Sequence, residues 1–316
     1  PIWRTRSLLR QVSHLFLWGF KGKRITKSLE EALRRFPPAG LVLFRRNIES
    51  PRQLADLIRD AQKSSPYPLL IGIDQEGGGV SRLPPPWVQY PPAREWGRLD
   101  PELMRKIGQF MGQELKSSGI NLNFAPVLDV DTNPLNPIIG NRAFGRRPEE
   151  VIRSAIPFAQ GLLDAGVIPC GKHFPGHGDT SLDSHKELPV VSKDLKHLKR
   201  IEIVPFVAAI RAGLPMLMTA HVLYPALDPK NAATVSQTIL EGLLRKGMGF
   251  NGVIVSDDLD MRALANKHSV SGHSLSERAL EAFRAGVDLI LICKGFEKRG
   301  KVVEDLTLEI RRSRFL

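Results

Sequence analysis

The sequence predicts one α/β domain with the fold of a (β/α)8 TIM barrel, and two observations favour this fold class. The first is a set of eight short apolar runs, whose almost continuous hydrophobicity is typical of parallel strands buried on both faces. The second is the presence of amphipathic segments between the runs, without any linker-like or low-complexity stretch. The runs lie at residues 15–20, 40–44, 68–74, 120–130, 167–174, 216–224, 252–259 and 287–293. A count of eight favours a closed barrel over residues 1–316, and a doubly wound open sheet is the alternative.

Three of the intervening segments carry the signals that start a helix. SPRQLADLIRDAQKS (50–64) and DPELMRKIGQFMGQELKSSG (100–119) each open on a Ser or Asp cap, followed by proline at the first helical position. RPEEVIRSAIPFAQGLLDAG (147–166) follows the same logic and ends on glycine. We therefore expect helices over these three segments.

The composition is that of a globular protein, with 42% hydrophobic and 25% charged residues. No apolar run approaches the roughly 18 residues that span a bilayer, so we expect no stable membrane insertion. The run LFLWGF near the N-terminus is shorter than the apolar core of a signal peptide, and no small-residue cleavage site follows it. Cys170 and Cys293 are too few for a disulfide framework, and we expect free core thiols in a reducing compartment.

The net charge of +12 is concentrated at the two ends of the chain. Residues 1–46 carry eleven Lys and Arg against two Glu, residues 294–316 carry seven against four acidic residues, and the remainder is balanced. A nucleic-acid enzyme should instead show a basic stripe around its chemistry. We therefore expect no nucleic-acid partner, and interpret the surplus as solvated helix faces or weak attraction to acidic surfaces.

Several apolar runs end in a residue with chemical function, which favours an enzyme because barrel active sites lie at the carboxyl ends of the strands. Asp257 follows the run VIVS and suits a nucleophile, a metal ligand or a helix N-cap. Asp258 is the better capping candidate because it lies nearer the next helix. The strand-end residues are Asp74, Asp129, Lys172, His173, His221, Asp257 and Asp258.

Two glycine-containing loops add candidate binding groups. IDQEGGGVSR places Asp74 at a strand end, then glycines that let a ligand approach the backbone, and then Arg82. A carboxylate at this position suits sugar hydroxyls or a cation. GNRAFG offers Arg142 between glycines, and an exposed arginine without function is the alternative.

The stretch GKHFPGHGDTSLDSHKELP (171–189) admits three kinds of site. A metal site would recruit His173, His177 and His185 with Asp179 or Asp183, but the spacing matches no strong ligand signature. A Ser-His-Asp triad would need a serine on a strained turn, and the chain has no G-x-S-x-G. The third is a mobile acid/base loop over residues 175–187, in which Asp183 contacts His185, sets its tautomer and raises its pKa. We favour the loop, with no metal.

The motifs DQEGG, FAPVLDV, GKHFPGHG, DSHKE, AHVLY and GVIVSDDLDM follow one another in this order. In them the chain resembles the single-domain β-N-acetylglucosaminidases of glycoside hydrolase family 3, from about residue 12 to about residue 295. The combination of KHFPGHG with DSH is highly specific to that group. The resemblance implies a glycosidase that removes terminal β-N-acetylglucosamine and requires no cofactor.

The resemblance also assigns roles to individual residues. It implies Asp257 as nucleophile and His185 as general acid/base, with Asp183 as its partner. Gly79 stands where many relatives have arginine, and Asn141 where some have an acidic residue. Both departures leave the catalytic pair intact and bear on fine specificity. The residues implied to hold the sugar are Asp74, Arg82, Arg142, Lys172 and His173.

The implied reaction retains the anomeric configuration. Asp257 attacks the anomeric carbon while His185 protonates the leaving oxygen, and His185 then deprotonates the incoming water. The family implies small oligosaccharides or muropeptides of cell-wall recycling as substrates, and we expect a cytoplasmic monomer. One alternative is a phosphorylase of the same fold that passes the sugar to phosphate. Another is a non-catalytic sugar-binding barrel, which should have lost Asp257 or His185.

Overall fold

A computed structural model describes residues 8–181, 188–264, 274–294 and 296–313, and eight parallel strands form its centre. Each of the eight predicted apolar runs contains one of these strands, while a separate hairpin is formed by β7 and β8. In chain order the strands are β1 (Phe16–Gly19), β2 (Gly40–Leu43), β3 (Leu70–Ile73), β4 (Leu122–Asn123), β5 (Ile168–Phe174), β6 (Met216–Thr219), β7 (Leu223–Tyr224), β8 (Asp228–Ala232), β9 (Val253–Val255) and β10 (Ile290–Ile292).

The sheet closes into a barrel. Its hydrogen-bonded order is β10-β1-β2-β3-β4-β5-β6-β9, and every pair in it is parallel. A parallel bridge between Val255 and Leu289 joins the two ends of this order. Around the bridge, the Ser256 N–H donates to the Leu289 carbonyl at 2.9 Å, and the Leu289 N–H donates to the Ile254 carbonyl at 3.0 Å. The predicted TIM barrel is confirmed.

The helices surround the barrel, and the predicted caps of two of them are confirmed. Ser50 accepts from the Gln53 N–H at 3.2 Å, and Asp100 accepts from the Leu103 N–H at 3.0 Å. The helices are α1 (Leu8–Ser13), α2 (Lys27–Arg35), α3 (Pro51–Ser64), α4 (Ala93–Trp96), α5 (Pro101–Ser117), α6 (Pro148–Asp164), α7 (Leu195–Arg200), α8 (Val204–Arg211), α9 (Leu275–Ala285), α10 (Arg299–Ser313) and a π-type helix, Thr238–Gly247. The start of α6 differs, because Glu150 accepts from the Arg146 and Arg147 N–H groups.

Most of the core lies in two apolar layers, and the parallel direction of the strands brings their polar carboxyl ends to one face. A larger apolar cluster packs the strands against the helices. A smaller one fills the barrel interior, with Leu17, Val42, Leu122, Phe124, Cys170, Met216, Met218, Val255, Leu291 and Cys293. Both cysteines are buried and free, as predicted. Across the described ranges, the helices are too short or too polar to cross a bilayer.

Candidate active site

A pocket of about 170 Å³ lies at the carboxyl ends of the barrel strands. It is smaller than the roughly 300–1,000 Å³ of pockets for drug-sized ligands, and is therefore suited to one small unit. All five predicted sugar-binding residues line it together with Asp257, as do Glu76, Asp258 and an apolar wall. Asp183 and His185 lie outside the described residues. The residues of the pocket are Val42, Phe44, Asp74, Glu76, Val80, Arg82, Arg142, Lys172, His173, Met218, Asp257, Asp258, Met261, Leu291 and Cys293.

One side of the pocket is a chain of alternating charges. The Lys172 Nζ lies 2.9 Å from Asp74 Oδ1 and 2.6 Å from Glu76 Oε1. Arg142 donates from Nε and Nη2 to the two oxygens of Glu76, at 2.8 Å each. Arg82 lies at the outer end, with its Nη2 3.4 Å from Asp74 Oδ2. The network brings together groups from the loop after β3, the loop after β4 and the end of β5, and each of them has at least one charged partner.

Sequence analysis did not identify Glu76, although it joins Arg142 to Lys172 at the centre of this network. Its side chain is 3% exposed. A signal was present in the motif DQEGG, since Asp74 and Glu76 are two residues apart, directly after β3. Residues at this spacing share a face while the backbone stays extended. A second carboxylate on the face of Asp74 was therefore predictable.

Glu76, Lys172 and Arg142, at the centre of the network, remain ionised near neutral pH. Burial alone would raise the pKa of Glu76, but the charges of Arg142 and Lys172 outweigh it and hold that pKa far below its usual range. Burial likewise opposes the charge of Lys172, yet Asp74 and Glu76 leave its pKa raised. The pKa of Arg142 is also raised, because Glu76 outweighs the burial of the guanidinium. Fixed cations and carboxylates therefore offer both donors and acceptors to a polar ligand.

His173 is oriented by Asp129, a fully buried carboxylate. Asp129 accepts from the His173 backbone N–H at 3.1 Å, and its other oxygen lies 2.7 Å from His173 Nδ1. Burial raises the pKa of Asp129, but His173 and the His177 N–H outweigh that effect and leave the pKa lowered. An ionised Asp129 fixes the proton on Nδ1, so Nε2 is the nitrogen available to the pocket. Asp129, predicted as a strand-end group, thus acts through His173.

The adjacent carboxylates Asp257 and Asp258 differ in environment. Burial raises the pKa of Asp257, but His221, His173, the Asp258 N–H and Lys172 outweigh it, and the pKa is lowered. Asp258 Oδ1 instead accepts from the Cys293 N–H at 2.9 Å and the Asp260 N–H at 3.1 Å. Burial raises the pKa of Asp258 to about 6. Asp258 therefore ties its turn to the residue after β10 instead of capping the next helix, so its predicted capping role is not met. Asp257 is the more acidic group.

Two further histidines have structural partners. His221 uses both ring nitrogens, with Nδ1 2.7 Å from Thr234 Oγ1 and Nε2 3.0 Å from the Asp258 carbonyl oxygen. His177 has its Nδ1 2.9 Å from Thr180 Oγ1, and burial lowers its pKa to about 4. In the ranges that the structure describes, no group of three or more His, Cys, Asp or Glu side chains is arranged to hold a metal ion.

The first part of the predicted mobile loop is tightly packed. His177 and Thr180 are buried, and the Tyr224 hydroxyl donates to the Gly176 carbonyl at 2.5 Å. Residues 177–180 of the loop that was predicted to be mobile are therefore anchored by burial and hydrogen bonds. Residues 182–187, which include the predicted acid/base pair, are not among those described.

The chain is similar to proteins of one family along almost its full length. Residues 7–312 match the model of the glycosyl hydrolase family 3 N terminal domain. A relative named Beta-hexosaminidase, from Nitrosomonas eutropha, is 39% identical over 277 residues, which are 85% of this chain and 78% of that protein.

Solved structures give the same result. A β-N-acetylglucosaminidase of glycoside hydrolase family 3 from Paenibacillus superposes with a TM-score of 0.93 at 39% identity, covering 98% of this chain. This chain spans only 59% of that longer one. NagZ from Neisseria gonorrhoeae, in complex with N-trifluoroacetyl-D-glucosamine, superposes with a TM-score of 0.83 at 34% identity, covering 93% of this chain and 84% of NagZ. The barrel, the strand-end pocket and these similarities together establish that the chain is a glycosidase and belongs to glycosyl hydrolase family 3.

Proposed function

We propose that the chain is a retaining β-N-acetylhexosaminidase that removes terminal, non-reducing β-N-acetylglucosamine. The observation that carries the proposal is the position of Asp257, an acidic carboxylate in the same small pocket as the charged network. Asp74, Arg82, Arg142, Lys172 and His173 hold the hydroxyl and acetamido groups of one sugar ring. Relatives named Beta-hexosaminidase support the reaction, and the N-acylated glucosamine bound to NagZ supports the sugar.

Asp257 carries the bond-forming step. A carboxylate that is ionised near neutral pH attacks the anomeric carbon and forms a glycosyl-enzyme, while the bond to the leaving oxygen breaks. Lys172 and His173 lie in the same pocket and contribute to keeping Asp257 ionised. Asp257 attacks from the face opposite the leaving group, and water then displaces Asp257 from the face that the leaving group has left. The two inversions together retain the configuration.

His185 is the general acid/base in this proposal, and Asp183 orients it. The motif DSH supports the assignment, since it places a carboxylate two residues before the imidazole. His185 protonates the leaving oxygen in the first step and removes a proton from water in the second. An imidazole whose pKa lies near neutral pH serves both directions of proton transfer.

The natural substrates in this proposal are peptidoglycan fragments, either small oligosaccharides or muropeptides. A pocket with room for one ring suits removal of a single terminal sugar from such a fragment. We place the enzyme in the cytoplasm, as a monomer. The two free, buried cysteines support a reducing compartment.

A trapping experiment tests the nucleophile. A fluorosugar inactivator that keeps the 2-acetamido group should form a stable adduct, and peptide mass spectrometry should locate it on Asp257. Asp257→Asn should lower kcat by at least about a thousandfold. Asp258→Asn is the matched control and should lose far less, because an amide oxygen can still accept from the Cys293 N–H. An adduct on Asp74 or Asp258 would overturn the assignment.

Product analysis tests hydrolysis against phosphorolysis. A chromogenic N-acetylglucosaminide should yield free N-acetylglucosamine at the same rate with and without inorganic phosphate. Formation of the sugar 1-phosphate would show that the chain is a phosphorylase. Tight binding of the sugar without any turnover would favour the non-catalytic barrel.

A further inference from the structure

Asn136 joins the loop after β4 to the beginning of the loop after β5. It is buried, and its Nδ2 lies 2.9 Å from the His177 carbonyl, 3.0 Å from the Gly178 carbonyl and 3.2 Å from Thr180 Oγ1. Its Oδ1 accepts from the N–H groups of Ile138 and Ile139, at 2.9 and 2.8 Å. Acceptors surround one end of the amide and donors the other, so its orientation is fixed.

Neighbouring residues reinforce the same junction. Asn133 donates from Nδ2 to the Thr180 carbonyl at 3.1 Å. The Thr132 Oγ1 lies 3.2 Å from Asp179 Oδ1. A Cβ at Gly178 would lie 1.7 Å from the Val130 carbonyl oxygen, so the two backbones are in direct contact. Segment 177–180 is therefore clamped to segment 130–136 by side chains and by backbone packing.

The clamp and the sugar-binding site are both held by Asp129. Asp129 precedes the clamped segment and accepts from the His177 N–H at 2.7 Å through the oxygen that also binds the His173 N–H. One short segment thus fixes both His173, at the pocket wall, and the residues where the β5 loop begins. Only five positions separate Thr180 from His185 in the sequence.

We propose that Asn136 is a positioning residue for proton transfer. It clamps segment 177–180, which precedes His185 in the chain, in a fixed position. This rests on the function proposed above. The physical basis is that an acid must lie within hydrogen-bond distance of the proton it moves, and a displacement of about 1 Å costs about a hundredfold in rate. Asn136 itself touches neither substrate nor the reacting atoms.

Asn136→Asp tests the clamp, because it keeps the oxygen that serves Ile138 and Ile139. It replaces the donating nitrogen by an oxygen that faces the carbonyl oxygens of His177 and Gly178 and the Thr180 hydroxyl. On an alkyl glycoside, which needs protonation of its leaving group, kcat/KM should fall by about a hundredfold. On a nitrophenyl glycoside, which needs little protonation, the fall should be less than about tenfold. Affinity for free N-acetylglucosamine should not change, since Asp129 still orients His173.

Controls separate positioning from general damage. Leu135→Ala changes an 82% exposed side chain of the same loop and should leave both substrates unaffected. Thermal unfolding checks that Asn136→Asp is folded. If it is not, Asn133→Ala removes the bond to the Thr180 carbonyl, together with the local acceptor of the Leu135 N–H, and should show the same preference at smaller amplitude.

His185→Ala, measured in parallel, distinguishes the two proposals. It should share the selective loss on the alkyl glycoside. A selective loss in His185→Ala with equal losses on both substrates in the clamp variants would overturn the positioning role alone. Equal losses in His185→Ala would overturn the acid/base assignment itself.

Discussion

Glu76→Gln is the sharpest perturbation of the charged network. The carboxylate of Glu76 accepts two bonds from Arg142 and lies 2.6 Å from Lys172 Nζ. Glutamine has nearly the same shape but one acceptor oxygen, and its amide nitrogen must face a cation. The substitution therefore removes one negative charge and leaves Lys172 with Asp74 as its remaining close carboxylate, 2.9 Å away.

The expected magnitude follows from the burial of the group. Hydrogen bonds to charged groups contribute about 1.5–3 kcal/mol each, and removing one partner of a buried ion pair costs about 3–5 kcal/mol. Because Asp74 still partly neutralises Lys172, we expect about 3 kcal/mol, a large share of the typical 5–15 kcal/mol of stability. Loosening Arg142 should also lower kcat/KM by about a hundredfold, which corresponds to about 2.7 kcal/mol.

Denaturant unfolding and kcat/KM on a chromogenic N-acetylglucosaminide measure both effects. Glu49→Gln is the control, since Glu49 forms an exposed ion pair with Lys23 and should change neither quantity. The pKa of Glu76 is lowered on folding, so its contribution is full above the unfolded pKa, about 4, and is lost as pH falls towards the folded one. The stabilities of wild type and Glu76→Gln should therefore converge in acid. Unchanged stability and kcat/KM at neutral pH would refute the reasoning.

Three further predictions concern packing, metals and specificity. In denaturant unfolding, Gly178→Ala should destabilise the fold by at least about 3 kcal/mol, because its Cβ would overlap the Val130 carbonyl oxygen. Gly242→Ala is the control and should be tolerated, because the space around Gly242 is open. Activity should survive dialysis against a strong chelator; loss that zinc restores would reinstate a metal site. The glucoside should be cleaved at least about a hundredfold less efficiently than the N-acetylglucosaminide, because Arg142, Lys172 and His173 would lose partners, and comparable rates would contradict this specificity.

The barrel was predictable because each of its strands lies in a short apolar run. Such a run is typical of a strand that is buried on both faces. The extent of the strands was less predictable. The run 216–224 contains β6 only to Thr219, and β7 then leaves the barrel to pair with β8. Asp228 organises that hairpin by accepting from the Lys230 and Asn231 N–H groups and from Ser236 Oγ. These hydrogen bonds belong to a turn, and the hydrophobicity of the sequence does not predict them.

The residues that line the pocket were largely predictable from the sequence, whereas the contacts between them were not. Lys172 and Asp74 are 98 positions apart, and Arg142 and Glu76 are 66 apart. A strand-end rule brings such residues to one face but does not state which of them touch. The same limit explains His177, which sequence analysis placed among possible metal ligands and which the structure places against Thr180.

The dipeptide Asp257-Asp258 illustrates what physical environment adds to a motif. Both carboxylates follow β9, both line the pocket, and sequence position alone separates them only weakly. Asp258 accepts from two backbone N–H groups, yet burial dominates and its pKa rises to about 6. Asp257 is partly buried, but the charges of His221, His173 and Lys172 and the Asp258 N–H outweigh the burial, and its pKa falls. Because their environments shift the two pKa values in opposite directions, the neighbouring carboxylates are suited to different roles, and Asp257 stays an anion to lower pH than Asp258.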